Sequence, residues 1–175
     1  MQMVTCIAFD KVPPVPTDVC LGTSVCVAKG VSRKELELSF GLSSRRRVTR
    51  DDALIFDCFK LGSKYVLITY SSQGHPSAQP EQIDVALVPQ ASCKAPVVAK
   101  RHIDVSLLPV SIGSSETFVV TKFGEPGRVW TAENSRQGIN RNEKGLVYGA
   151  LDSNEFVLIV LKNGAVTRVM GSISP

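Results

Sequence analysis

The stretch Phe156-Val157-Leu158-Ile159-Val160-Leu161-Lys162-Asn163-Gly164-Ala165-Val166-Thr167-Arg168-Val169-Met170-Gly171-Ser172 decides the fold. Asn-Gly is the pair that best tolerates the two positive φ angles of a tight hairpin turn. Here it separates two runs rich in Val, Leu and Ile, so Phe156–Leu161 and Ala165–Ser172 are predicted to be antiparallel neighbours. Upstream, Leu146–Leu151 and a turn at Asp152-Ser153-Asn154-Glu155 add a third strand. A sheet with one wet face alternates apolar and polar residues, whereas Phe156–Leu161 is apolar at every position. Either the second face packs against something inside the chain, or it offers apolar surface to a partner. Internal packing is the preferred reading, because apolar residues are most often simply core.

The same grammar stands earlier in the chain. Tyr65-Val66-Leu67-Ile68 matches Phe156-Val157-Leu158-Ile159, Leu54-Ile55-Phe56 matches Leu146-Val147-Tyr148, and Gln82-Ile83 matches Ala165-Val166. Further upstream, Asp18-Val19-Cys20-Leu21 matches Asp104-Val105-Ser106-Leu107, Val31-Ser32 matches Ser114-Ser115, and Ser39-Phe40-Gly41 matches Lys122-Phe123-Gly124. The order holds and the offset stays between 83 and 92, changing only where loops would lie. That is the signature of an internal repeat, with chance matching among Val- and Leu-rich strands as the competing explanation. The expected organisation is an N-terminal extension over 1–17, a first unit over 18–94, a linker over 95–103 and a second unit over 104–175. The strands expected of the first unit are Ala53–Phe59, Tyr65–Tyr70 and, after a loop holding two prolines and a glycine, Gln82–Val88.

Each unit opens with a segment that ends at Phe-Gly. Ser32-Arg33-Lys34-Glu35 fits a capping box, with Val31 and Leu36 placed as a hydrophobic staple. In the second unit Ser114 or Ser115 can cap, Gly124 can terminate, and Pro126 blocks continuation. A strand signal competes in both places. Glu35-Leu36-Glu37-Leu38-Ser39-Phe40 alternates strictly, and Thr117-Phe118-Val119-Val120-Thr121 is rich in strand formers. The Ser-to-Gly framing favours helix. The predicted fold class is therefore α+β, a tandem duplication in which each unit is a short helix on a three- to four-stranded antiparallel meander; the alternative is all-β.

Composition narrows the function. The 175 residues are 43% hydrophobic and 21% charged, a globular composition. A net charge of +4, from 20 Lys+Arg and 16 Asp+Glu, does not demand a nucleic-acid partner. No apolar run reaches the roughly 18 residues of a membrane-spanning helix. The opening residues lack the basic and apolar regions of a signal peptide, which leaves open whether one was removed. His75 and His102 are the only histidines. Cysteines and histidines are scattered rather than clustered as metal ligands, and no glycine-rich loop suited to phosphate is present. The expectation is a chain that is not an enzyme and carries no cofactor or metal.

Five cysteines admit three readings. Cys20 and Cys26 can pair across a bend at Gly22, and Cys58 with Cys93 can staple the first sheet. Alternatively all five, Cys6 included, are buried free thiols in a reducing compartment. Nucleophilic catalysis ranks last, because neither histidine lies in a recognisable catalytic motif.

Two loops carry candidate contact residues. Arg45-Arg46-Arg47 with Arg50 can hold oxyanions or an acidic protein patch, because guanidinium forks bind oxyanions bidentately. The bland alternative is a solvated loop, partly offset by Asp51 and Asp52. No aromatic lies between Ser43 and Leu54 to stack on bases, which argues against nucleic acid. The corresponding loop of the second unit, Gly124–Lys144, holds Arg128, Trp130, Arg136 and Arg141. Trp130 is either an interface anchor or an aromatic folded back onto the core.

Lys122-Phe123-Gly124-Glu125-Pro126, then Phe156–Leu161, Asn163-Gly164 and Val166, resembles the SmpA/OmlA (BamE-like) fold, and two such units in tandem resemble the β-lactamase inhibitor proteins. The first unit departs from the pattern, since Phe40-Gly41-Leu42-Ser43 lacks the proline. Gly30-Val31-Ser32 and Ile112-Gly113-Ser114 replace the family's Gly-Met opening. The resemblance implies periplasmic, envelope or secreted localisation and binding of another protein, as scaffold or inhibitor, without catalysis. The alternative is a cytoplasmic interaction module using Arg45–Arg50 against nucleic acid or an acidic protein.

Overall fold

The computed structural model describes residues 19–21, 25–26, 32–35, 47–48, 55–70, 80–89, 93, 97–98, 105–107, 110–135, 138–150 and 155–172. In chain order the elements are β1 (Val19–Leu21), β2 (Val25–Cys26), α1 (helical over 33–35), β3 (Arg47–Val48), β4 (Ile55–Leu61), β5 (Lys64–Tyr70), β6 (Pro80–Ala86), β7 (Val97–Val98), β8 (Val105–Leu107), α2 (Glu116–Phe123), β9 (Arg128–Trp130), β10 (Glu143–Ala150), β11 (Glu155–Lys162) and β12 (Ala165–Ser172).

Two sheets form. The larger runs β3-β4-β5-β6-β12-β11-β10-β9, with β7 added in parallel to the outer side of β4. The smaller is β2-β1-β8. The α+β expectation is overturned: the architecture is nearer all-β. Two physical facts account for the difference. The helices are short, α2 being eight residues, too few to form a layer of their own. The meanders of the two halves do not build separate sheets but hydrogen-bond to each other through β6 and β12, from Arg168↔Ala86 to Ser172↔Gln82. Strands β1, β2, β3, β7, β8 and β9 are two or three residues long, too short for a periodicity argument to detect.

Local chemistry sets the turns. Asn163 and Gly164 have φ of 52° and 75°, the paired positive angles that close β11 onto β12. Ser115 caps α2 by accepting from the Phe118 N–H at 3.2 Å, and the helix ends where the Gly124 N–H reaches the Val120 carbonyl at 2.8 Å. Ser32 and Glu35 form the reciprocal capping box of α1: the Ser32 N–H donates to Glu35 Oε2 at 2.7 Å, and the Glu35 N–H to Ser32 Oγ at 3.3 Å.

The register of the large sheet is palindromic about the β6–β12 seam. Laying Tyr65–Ile68 over Phe156–Ile159 is an offset of 91. The ladders then carry Cys58, opposite Leu67, onto Val147, opposite Leu158. They carry Asp84, also opposite Leu67, onto Met170, also opposite Leu158. Asp84 and Met170 are themselves paired across the seam. Each meander has one register shift, between Thr69 and Tyr70 in the first and between Val160 and Leu161 in the second. Those positions are again 91 apart. In the small sheet Cys20 pairs with Ser106, separated by 86, the same interval as Asp84 to Met170.

Both faces of the large sheet carry a buried cluster. On one, Val66, Ile68, Tyr70, Ile83, Val85, Leu146, Tyr148, Val157, Ile159 and Leu161 form a continuous core, joined by Val119 of α2 and Val110. On the other, Trp130, Ile139, Val147, Phe156, Leu158, Val160 and Met170 form a second cluster, and Leu67 is also buried. The unbroken apolar runs thus reflect packing within the chain. Each such fully buried aliphatic side chain contributes about 1.5–3 kcal/mol relative to exposure.

Candidate binding surface

Strand β9 and the loop that follows it form one edge of the large sheet. Trp130 pairs with Gly145, Val129 with Leu146 and Arg128 with Val147. Alternation sends Trp130 to the second face, where it is 9% exposed and meets Phe156 edge-on at 6.1 Å between ring centroids. Ile139 returns from the loop to the same cluster. The fit depends on Gly145: a Cβ there would stand 2.8 Å from a Leu158 methyl and 3.0 Å from an Ile139 methyl. The loop is thereby pinned at both ends, by Trp130 and by Ile139. Between them Asn134 ties the turn down. Its Oδ1 accepts from the Thr131 N–H at 2.7 Å, and its amide donates to the Val129 carbonyl at 3.4 Å. At the far end Glu143 accepts from the Asn140 N–H at 3.0 Å and from its side-chain amide at 2.9 Å.

The pinned loop itself exposes Glu133, and two arginines flank it. Arg128 and Arg141 are both exposed. Arg128 sits opposite Val147, and Arg141 lies two residues before β10 begins. From the start of β10 to the level of Val147 is four strand steps, roughly 13 Å at the rise of a strand, with Arg141 in the turn that the Glu143 N–H closes onto the Asn140 carbonyl. The arginines therefore mark two ends of an extended edge rather than a pocket. Arg136 lies outside the described residues, as do Arg45 and Arg46. Arg47 is in β3, opposite Phe56 on the other outer edge of the sheet. The two basic loops thus belong to opposite ends of the strand order.

Two ion pairs that the sequence did not announce lie inside the structure. Arg33 donates through Nε and Nη2 to the two oxygens of Asp57 at 2.9 and 3.0 Å, with the Arg33 side chain 1% exposed. It also stands 5.7 Å from the Tyr70 ring centroid. Sequence reading saw Arg33 only as the second residue of a capping box. The missed signal is Asp57, the one charged residue in the otherwise apolar run 55–59. Across the seam, Arg168 donates to Asp84 through Nη2 at 2.6 Å, and Asp84 is buried. Both pairs tie elements together, α1 to β4 and β12 to β6. Tyr148 donates to the Gly124 carbonyl at 3.1 Å. Burial pushes its phenol up to about 12, helped by the negative charges of Glu125 and Glu116.

Cys58 and Cys93 are joined by a disulfide, with Cα atoms 5.7 Å apart. Among the described residues, no cluster of His, Cys, Asp and Glu is placed to hold a metal ion, and no helix is long and apolar enough to cross a membrane.

No family model matches the chain, and no curated protein matches it in sequence. Weak matches among solved structures include a cysteine-rich secretory protein from Staphylococcus aureus, 13% identical with a TM-score of 0.48, covering 83% of this chain and 44% of that one. The chain thus spans under half the length of that protein. A DUF4309 family protein from Bacillus subtilis is 14% identical with a TM-score of 0.43, covering 83% and 80%. A "putative beta-lactamase inhibitor protein" from Streptococcus mutans is 13% identical with a TM-score of 0.28, covering 89% of this chain and 92% of that one.

Proposed function

We propose that the chain is a non-enzymatic protein-binding module of the cell envelope or exterior, built from two copies of one unit over 18–94 and 104–175. The observation that carries the binding reading is the loop after β9. It is long and anchored in the core at Trp130 and Ile139, and exposed arginines flank it, Arg128 in β9 and Arg141 just before β10. Binding residues concentrate on loops held by rigid scaffolds, and arginine is enriched at binding hot spots. The extended spacing suits an acidic stretch of another protein's surface better than a small anion. The Cys58–Cys93 bridge supports an oxidising compartment, since disulfides persist there and are rare in the cytosol. It weighs against the intracellular reading built on Arg45–Arg50. The duplication reading is supported by the palindromic strand order and by the coincident register shifts, because β-bulges are retained features of a fold.

The test is affinity capture from the envelope and exterior fractions of the native source. The full chain and an Arg128→Glu/Arg141→Glu variant serve as parallel baits. The account expects an acidic protein retained by the native bait and lost from the variant. Equal retention by both would move the binding surface elsewhere, and capture only from cytosolic fractions would remove the localisation.

A further inference from the structure

We propose that Cys20 and Cys26 form a second disulfide, closing the β1–β2 hairpin. The two cysteines are direct partners in the antiparallel ladder, with Leu21 opposite Val25 as the next pair and only residues 22–24 between the strands. Directly opposed residues have Cα atoms about 5.5 Å apart in a hydrogen-bonded pair and about 4.5 Å apart in a non-hydrogen-bonded one. Disulfides span Cα separations of about 4.4–6.8 Å, so either kind of pair satisfies the bond. Opposed residues also share one face of a sheet. The competition is limited. Cys58 and Cys93 are already joined to each other, which leaves Cys6 as the rival partner among the five cysteines. Closing a short loop costs less entropy than closing a longer one, which favours the pairing of Cys20 with Cys26 over either with Cys6.

The chemistry is thiol–disulfide exchange with a low-molecular-weight disulfide of the glutathione class. The Cys20 thiolate attacks one sulfur of the oxidant, forming a mixed disulfide and releasing one thiol. The Cys26 thiolate then attacks the Cys20 sulfur, and the second small thiol leaves. Two electrons pass from the cysteine pair to the oxidant, and the two thiol protons end on the released thiols. On its other side β1 pairs with β8, Cys20 opposite Ser106. The bridge therefore stiffens the hairpin through which the opening of the first half contacts the opening of the second.

Trypsin reads this directly. The full chain, refolded in a glutathione and glutathione-disulfide buffer, is alkylated without reduction and digested. Peptide 12–29 holds both Cys20 and Cys26, 1–11 holds Cys6, 51–60 holds Cys58 and 65–94 holds Cys93. The proposal expects 12–29 to carry no alkyl group and to be lighter by two hydrogens than the dithiol. In the same digest 51–60 should be linked to 65–94, and 1–11 should be alkylated. Alkyl groups on both Cys20 and Cys26 while 51–60 remains linked to 65–94 would overturn it. So would a link from 12–29 to 1–11, or a digest lacking both bridges.

Discussion

At Gly145 three elements meet closely enough that one methyl group matters. Gly145→Ala places a Cβ against Leu158 and Ile139, and overpacking of this kind costs about 1–3 kcal/mol. The expected result is a lower melting temperature, with emission from the sole tryptophan shifted to the red as the loop lifts. Trp130→Ala should cost more, about 3–5 kcal/mol, the scale of deleting a buried aromatic; denaturant titration measures both. Asp57→Ala takes both carboxylate oxygens from the buried Arg33 guanidinium, a loss of about 3–5 kcal/mol, whereas Arg33→Met with Asp57→Leu should recover most of it. Tyr148 adds a pH dependence. Its proton is held more tightly in the folded chain, up to about 12, than in the unfolded chain at about 10. Its contribution is thus complete below about pH 10 and falls away as pH rises towards 12. Melts of Tyr148→Phe from about pH 8 to 11 should show a shallower decline than the native chain. At this scale Trp130 and the arginines of its loop were legible as notable residues, but burial of Trp130 was not. It depends on Gly145 and Ile139, which become its neighbours only when β9 pairs with β10.

The elements that announced themselves did so through local chemistry. Ser115, Gly124 and the Asn163-Gly164 turn are local signals, and each holds in the structure. Ser115→Ala should cost about 1 kcal/mol, the usual worth of an N-cap. The cap backbone is also bonded into the sheet, with the Glu116 N–H reaching the Gly164 carbonyl and the Val166 N–H reaching the Ser114 carbonyl. Loss of the cap should therefore loosen the β11–β12 turn as well as α2. Hydrogen exchange at Val166 and Glu116 should rise together; exchange that changes in α2 alone would show the two are uncoupled. The short strands β1, β3, β7, β8 and β9 were not legible because two or three residues carry no period. Three of them exist where a longer strand offers an edge, as β4 does to β3 and β7 and β10 does to β9, whereas β1 and β8 pair with each other.

For the whole molecule, the meanders were legible from alternating runs and turns, but their union into one sheet was not. Nothing local to β6 or β12 states that each is the other's neighbour. Leu54–Phe56 and Gln82-Ile83 were also matched three residues away from the equivalences that the ladders give, Asp57 to Leu146 and Ile83 to Val169. Reduction should reveal how far the fold relies on covalent closure. Breaking Cys58–Cys93 removes about 2–4 kcal/mol, so reductant should lower the melting temperature clearly, while five titratable thiols in denatured, unreduced chain would contradict the oxidising compartment. The central claim is that this fold acts by contact through the β9 edge. It is tested most directly by equilibrium titration of the captured partner against the native chain and Arg128→Glu/Arg141→Glu, at low and high salt, with melts in parallel. The account predicts about tenfold or greater weakening at low salt, shrinking as salt screens the charges, with melting unchanged. Equal affinity for an intact, charge-reversed variant would contradict it.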